Sequence, residues 1–173
     1  MVSQLSRPVT VSPVSAEEVA ATRQPTERAR TLPGRVYHDP AIFAWEHEQW
    51  FRREWLFVGR EDDAPDTGSF FRCEVAGENA VVVRGNDGLL RAFYNVCRHR
   101  GATVVEESSG RMVRFQCPYH AWIYDLEGNL RPPRHTETLE DFSCAAYSLL
   151  PIRCETWGGF VFLNLDRDAP PLA

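Results

Sequence analysis

Ala80-Val81-Val82-Val83-Arg84-Gly85-Asn86-Asp87-Gly88-Leu89-Leu90-Arg91-Ala92-Phe93-Tyr94-Asn95 reads as a hairpin. Valine is stiff at its first side-chain torsion and favours extended backbone. Asn86, Asp87 and Gly88 tolerate the left-handed conformations that a tight turn needs. Residues 80–84 and 89–95 are therefore expected to be antiparallel strands. Working outward, short β-rich runs fall at 56–58, 70–75, 113–116, 121–125, 148–156 and 160–165. Turn residues separate them, among them Glu127-Gly128-Asn129 and Gly158-Gly159. Apart from a polar, partly helical stretch over 135–142, nothing of helical period intervenes. Strands so closely spaced predict a mainly β protein, a small antiparallel β-sandwich or barrel.

The chain divides accordingly. Residues 1–32 carry only scattered apolar side chains among Ser, Thr, Pro, Glu and Arg, and are expected to be a flexible leader. Within 33–56, Asp39 as N-cap and Pro40 at the first helical position open one amphipathic lead-in helix of about 15 residues. Its stripe of Ile42, Phe43, His47, Trp50 and Phe51 is expected to be ordinary core packing. The β domain covers 57–166, and the Pro-rich 167–173 looks like the start of a linker.

Composition excludes several classes. With 43% hydrophobic and 25% charged residues, the 173-residue chain is of globular type. A net charge of −5 argues against nucleic acid as partner, and no apolar run approaches a membrane span. With no secretory-type apolar segment, a cytoplasmic location is expected. Five cysteines, an odd number, fit metal ligation plus spare thiols better than a disulfide framework.

Two short stretches carry the chemistry: Cys97-Arg98-His99 and Cys117-Pro118-Tyr119-His120. Each supplies one thiolate and one imidazole. A zinc finger pairs its cysteines in one stretch and its histidines in the other, although a zinc-bound structural module remains open on residue types alone. The order Cys, His, Cys, His suits a two-iron site in which both thiolates sit on one iron and both imidazoles on the other, each loop reaching across the cluster. Cys73, Cys144 and Cys154 have no matching partners and are read as small buried hydrophobes. His38, His47 and His135 show no paired metal spacing.

The stretches Asn95-Val96-Cys97-Arg98-His99-Arg100-Gly101-Ala102 and Cys117-Pro118-Tyr119-His120-Ala121-Trp122 closely resemble the N-terminal domain of the α-subunit of Rieske non-haem iron oxygenases. The resemblance covers roughly residues 32–166 and implies a Rieske-type sandwich with a cluster-binding subdomain. It also implies a 2Fe-2S cluster with Cys97 and Cys117 on one iron and His99 and His120 on the other, Arg100 and Trp122 standing beside it. Respiratory Rieske proteins carry an extra Cys in each loop, where Ala102 and Tyr119 stand here. Without that disulfide and with few hydroxyls nearby, a potential toward the low end of the range, about −150 mV, is expected.

By the resemblance the chain relays electrons from a reductase or ferredoxin to a mononuclear non-haem iron. That iron is expected in a catalytic domain that these residues do not include, in the same or a neighbouring subunit of a homotrimer. The chain alone is then inactive on substrate; the alternative is a stand-alone Rieske ferredoxin. Residues 91–134 hold seven Arg against four acids, and Arg98 and Arg111 are the expected contacts for an acidic donor.

Overall fold

The computed structural model describes residues 11–134, 136 and 140–173, and the chain forms two compact units, Met1–Arg53 and Glu54–Ala173.

In the first unit, helix α1 spans Ala16–Thr22 inside the stretch expected to be a leader. Its cause is a capping box that the compositional reading passed over: Ser15 Oγ accepts from the Glu18 N–H, and the Glu18 carboxylate accepts from the Ser15 N–H. Glu18 also takes both of its oxygens to within 2.7 Å of Arg35 Nη2. Residues 1–10 of that leader lie outside the described residues. Helix α2 spans Pro40–Glu46 and starts as expected, with the Asp39 side chain accepting from the Ala41 N–H at 2.9 Å.

The single helix of about 15 residues is corrected. α2 passes into one wide π-helical turn, His47–Phe51, and ends there. A π turn breaks the 3.6-residue period, so positions beyond His47 leave the face set by Ile42. The stripe is not core: Ile42 is buried, whereas Phe43 is 61% and Trp50 53% exposed.

Among its described residues the second unit holds nine strands: β1 Leu56–Arg60, β2 Ser69–Val75, β3 Glu78–Arg84, β4 Leu90–Tyr94, β5 Ser109–Arg111, β6 Phe115–Gln116, β7 Ile123–Tyr124, β8 Pro151–Trp157 and β9 Phe160–Asn164. Seven form one antiparallel sheet in the order β1-β9-β8-β4-β3-β2-β5, while β6 and β7 make a separate ribbon. Each expected strand has a counterpart, but 113–116 shortens to Phe115–Gln116, 121–125 to Ile123–Tyr124, and 148–156 begins only at Pro151; β5 is additional, because Ser109-Gly110-Arg111 has no strand propensity and is exposed. Pairing to Ser69, Phe70 and Phe71 of β2 holds it in place.

The sheet curls, so both faces of its β2-β3-β4 part are buried. Val81, Val83 and Phe93 point to one side, into a cluster with Val104, Phe115, Tyr124 and Leu126. Ala80, Val82 and Ala92 point to the other, against Ile152, Val161 and Leu163. The unbroken Ala80–Val83 run is thereby explained, since a strand buried on both faces needs no polar alternation. The curl also brings β1 back to β2: a Cβ on Gly59 would come 2.9 Å from the Phe71 ring, so the close approach requires glycine. The sandwich of the sequence reading is thus one sheet folded onto itself, with the loop region carrying β6 and β7 packed on its outer side.

Cys73 and Cys154 lie on the β1-β9-β8 side, as expected for spare apolar thiols. Burial pushes Cys73 up to about 11 and Cys154 up to about 12. The segment after β9 is tied down: Arg153 donates to the Ala169 carbonyl, the Trp55 indole donates to the Pro170 carbonyl at 3.0 Å, and the Leu172 N–H donates to Glu155 Oε2 at 2.8 Å. Of 135–142, expected to be partly helical, His135 and residues 137–139 lie outside the described residues and the described ones form no helix; one 3₁₀ turn, Cys144–Tyr147, follows. Among the described residues no helix is long and apolar enough to cross a membrane.

Candidate metal centre

Cys97 follows β4 and Cys117 follows β6, and the two loops that begin at them are built alike. The Cys97 N–H donates to the Ala102 carbonyl at 2.7 Å, and the Gly101 N–H donates back to the Cys97 carbonyl at 3.0 Å. The Cys117 N–H donates to the Trp122 carbonyl at 2.8 Å, and the Ala121 N–H donates back to the Cys117 carbonyl at 3.0 Å. Each closed turn needs a left-handed residue four after its cysteine: Gly101 has φ 74° and Ala121 φ 55°. Glycine adopts that conformation freely; Ala121 carries the strain of a Cβ there.

The two loops bring their donors together as two pairs. The thiols of Cys97 and Cys117 are buried, 3% and 2% exposed, and Cys117 lies close enough to Cys97 to act on its thiol. The imidazoles of His99 and His120 are exposed, edge to face, with ring centroids 4.6 Å apart. Two soft donors on the inside and two imidazoles on the outside is the donor set of a two-iron, mixed-ligand cluster. The residues present therefore fit a 2Fe-2S group.

The neighbours of these donors set their chemistry. Burial pushes the Cys97 thiol up, a hydrogen bond with Tyr124 pulls it down, and the adjacent Cys117 adds to the rise. Burial lowers His99, and the charges of His120 and Arg100 lower it further, so the ring favours the neutral form that ligates metal. Trp122 stacks on His99 at 4.7 Å with the rings 11° apart, and Tyr119 covers His120 at 3.8 Å. Arg100 is exposed beside them, acting on His99 through its charge.

The sequence reading missed Tyr124. Its hydroxyl accepts from the Arg98 N–H at 3.1 Å and lies 3.3 Å from Cys97 Sγ. While Cys97 is a thiol either atom of this pair can donate; once Cys97 is a thiolate the hydroxyl is the donor, one hydroxyl beside a site expected to have few. The seven-residue step from Cys117 to Tyr124 across a closed loop was the available signal. Arg98 is half-buried, with its Nε enclosed and without a hydrogen-bond partner. Arg111 is exposed on β5, its Nε donating to the Thr67 carbonyl at 3.0 Å.

The Rieske [2Fe-2S] domain model matches residues 54–143, just over half of the chain and all of the region just described. The chain belongs to the Rieske [2Fe-2S] domain family. This Rieske chain is 38% identical over 143 residues to the carnitine monooxygenase oxygenase subunit of Escherichia coli K12, covering 83% of itself and 38% of that protein. It is 39% identical over 141 residues to the glycine betaine monooxygenase oxygenase subunit of Chromohalobacter salexigens, covering 82% of itself and 31% of that protein. Among solved structures, the apo form of a quaternary ammonium Rieske monooxygenase superposes with a TM-score of 0.78 at 36% identity, over 82% of this chain and 41% of the other. Naphthalene 1,2-dioxygenase with bound indole gives 0.73 at 34%, over 79% of this chain and 31% of the other. The chain therefore spans well under half the length of the relatives it matches.

Proposed function

We propose that this Rieske domain is the electron-entry part of a Rieske-type oxygenase. Cys97 and Cys117 hold one iron of a 2Fe-2S cluster, and His99 and His120 the other. When bound, the cluster supplies a one-electron couple between a reductase or ferredoxin and a mononuclear non-haem iron of the catalytic domain. The observation that carries the reading is the separation of the donors into a buried thiol pair and an exposed imidazole pair.

The chain's own residues divide the work. The buried loop bases exclude water from the thiolates, and Tyr124 holds its hydroxyl proton against Cys97. Trp122 and Tyr119 pack on the imidazoles and fix their planes, while the exposed ring edges give a redox partner a close approach. Oxygen activation for hydroxylation or demethylation, and the choice of substrate, are assigned to the catalytic domain, reached in the same or a neighbouring subunit of a homotrimer. A cytoplasmic setting, where the donor proteins reside, completes the proposal.

The test is a reductive titration of the cluster-loaded chain, followed by incubation with oxygen and carnitine, glycine betaine or naphthalene. Uptake of one electron per cluster with no product above a free-iron control is expected. Oxygen-dependent product from the pure chain contradicts it.

A further inference from the structure

We propose that Asn95 is the positioning residue that closes the first ligand loop, its side-chain amide taking the place of the strand pairing that closes the second. The proposal rests on the ligand reading above. In the second loop, Phe115 stands two residues before Cys117 and pairs through the β6-β7 ladder with Tyr124, seven residues after it. In the first loop the equivalent positions are Asn95 and Val104, and neither belongs to a strand. A loop that presents two donors at a fixed spacing needs its base closed. Here a side chain does it.

The geometry is that of a peptide mimic. Asn95 is 3% exposed. Its Oδ1 accepts from the N–H groups of Val104 at 3.2 Å and Val105 at 2.9 Å. Its Nδ2 donates to the Val105 carbonyl at 2.7 Å and to Asn79 Oδ1 at 3.3 Å. The backbone N–H of Asn95 also donates to the Asn79 carbonyl at 2.9 Å, which pins the clasp to β3. Both donors and both lone pairs of the amide are used, so truncation leaves buried backbone groups of residues 104 and 105 without partners. Cys97 and His99 lie inside the loop this clasp closes, whereas Cys117 and His120 lie outside it.

The test compares Asn95→Ala and Asn95→Asp with Ile152→Ala, a cavity variant in the core on the opposite face of the sheet. Asn95→Ala should release cluster to a chelator about ten-fold faster than the parent, in line with the loss of a residue supporting a metal ligand. Its reduced cluster should show shifted g-values in electron paramagnetic resonance. Asn95→Asp still accepts from both N–H groups but sets a buried carboxylate against the Val105 carbonyl and Asn79 Oδ1, so it too should release cluster faster than the parent. Ile152→Ala should melt earlier yet keep the parental release rate and spectrum. In the metal-free chain, Val104 and Val105 amides should lose hydrogen-exchange protection in Asn95→Ala alone.

Equal cluster release from Asn95→Ala and Ile152→Ala, or a parental spectrum and rate in Asn95→Ala, overturns the proposal. So does a parental release rate in Asn95→Asp. If the parent takes up no cluster, the ligand reading fails, and the metal-free exchange of Val104 and Val105 still decides the clasp. If Asn95→Ala does not fold, Asn95→Asp carries the comparison.

Discussion

Tyr124 and Ala121 are the two single residues on which the centre's properties turn most directly. A hydroxyl donating to a cluster thiolate favours the electron-rich reduced state, so Tyr124 is expected to raise the potential above the value the cluster would have without that bond. A hydrogen bond worth about 1 kcal/mol corresponds, for one electron, to roughly 40 mV. Tyr124→Phe should therefore lower the midpoint by roughly that amount in a redox titration, without loss of cluster. An unchanged midpoint would mean that the hydroxyl proton is directed elsewhere. Ala121 holds φ 55° where the matching residue of the other loop is Gly101. Relief of a left-handed penalty of about 1 kcal/mol exceeds the cost of about 0.5 kcal/mol for the freer unfolded chain, so Ala121→Gly should raise the denaturant midpoint. Gly101→Ala should lower it for conformational reasons alone, because nothing lies within 4 Å of where its Cβ would be. The candidate donors Cys97, His99, Cys117 and His120 were legible from spacing and residue type, and the fold brings their two loops together. The Tyr124 contact was not, since a tyrosine in an alternating run reads as core until the loop before it is known to close.

The strands were legible where residue type and pairing agree, as in the Ala80–Val83 run and the β3-β4 turn at Asn86, Asp87 and Gly88. They were not where tertiary pairing overrides propensity: β5 exists because β2 offers it an edge, and nothing in Ser109-Gly110-Arg111 announces it. Helix α2 shows the opposite failure, with start signals correct and periodicity broken by a π turn that no local residue marks. The segment after β9, read as a linker, is held by three side chains of the sheet and its lead-in. Arg153 stacks over Trp55 at 5.2 Å and pairs with Glu155 at 2.6 Å. The Leu172 N–H, and then Arg153, hold the Glu155 carboxyl below its ordinary value of 4.5. A depressed carboxyl contributes its stabilisation above the unfolded value, and that contribution is lost as pH falls through the folded value. Arg153→Ala, or acidification from pH 4.5 down through the depressed folded value of Glu155, should free the segment. The expected signs are faster exchange at the Leu172 amide and movement of the Trp55 indole signal in nuclear magnetic resonance. A protected Leu172 amide in Arg153→Ala would show that the segment is held by other contacts.

Across the second unit as a whole, the curled sheet is a rigid floor and the two ligand loops stand on it. One loop is closed by the β6-β7 ribbon and the other by a side-chain clasp anchored on β3. A Cβ at Gly128 would run into the Phe93 ring, so the turn after β7 rests directly on β4. The buried thiols face this floor and the imidazoles face out, which suits a cofactor that must be shielded on one side and approached from the other. Charge works with the shape less simply than the Arg-rich sequence suggested, since Arg91 is paired with Asp87 at 2.6 Å and Arg98 is half-buried. The central claim is that Cys97, His99, Cys117 and His120 hold one two-iron cluster. The most direct measurement is iron and acid-labile sulfide per chain, with the visible and paramagnetic spectra, for the parent, Cys97→Ser and Cys73→Ser after assembly under identical conditions. The account predicts about two irons and two sulfides in the parent and in Cys73→Ser, and neither cluster nor spectrum in Cys97→Ser. Cluster retained in Cys97→Ser but lost in Cys73→Ser would contradict it.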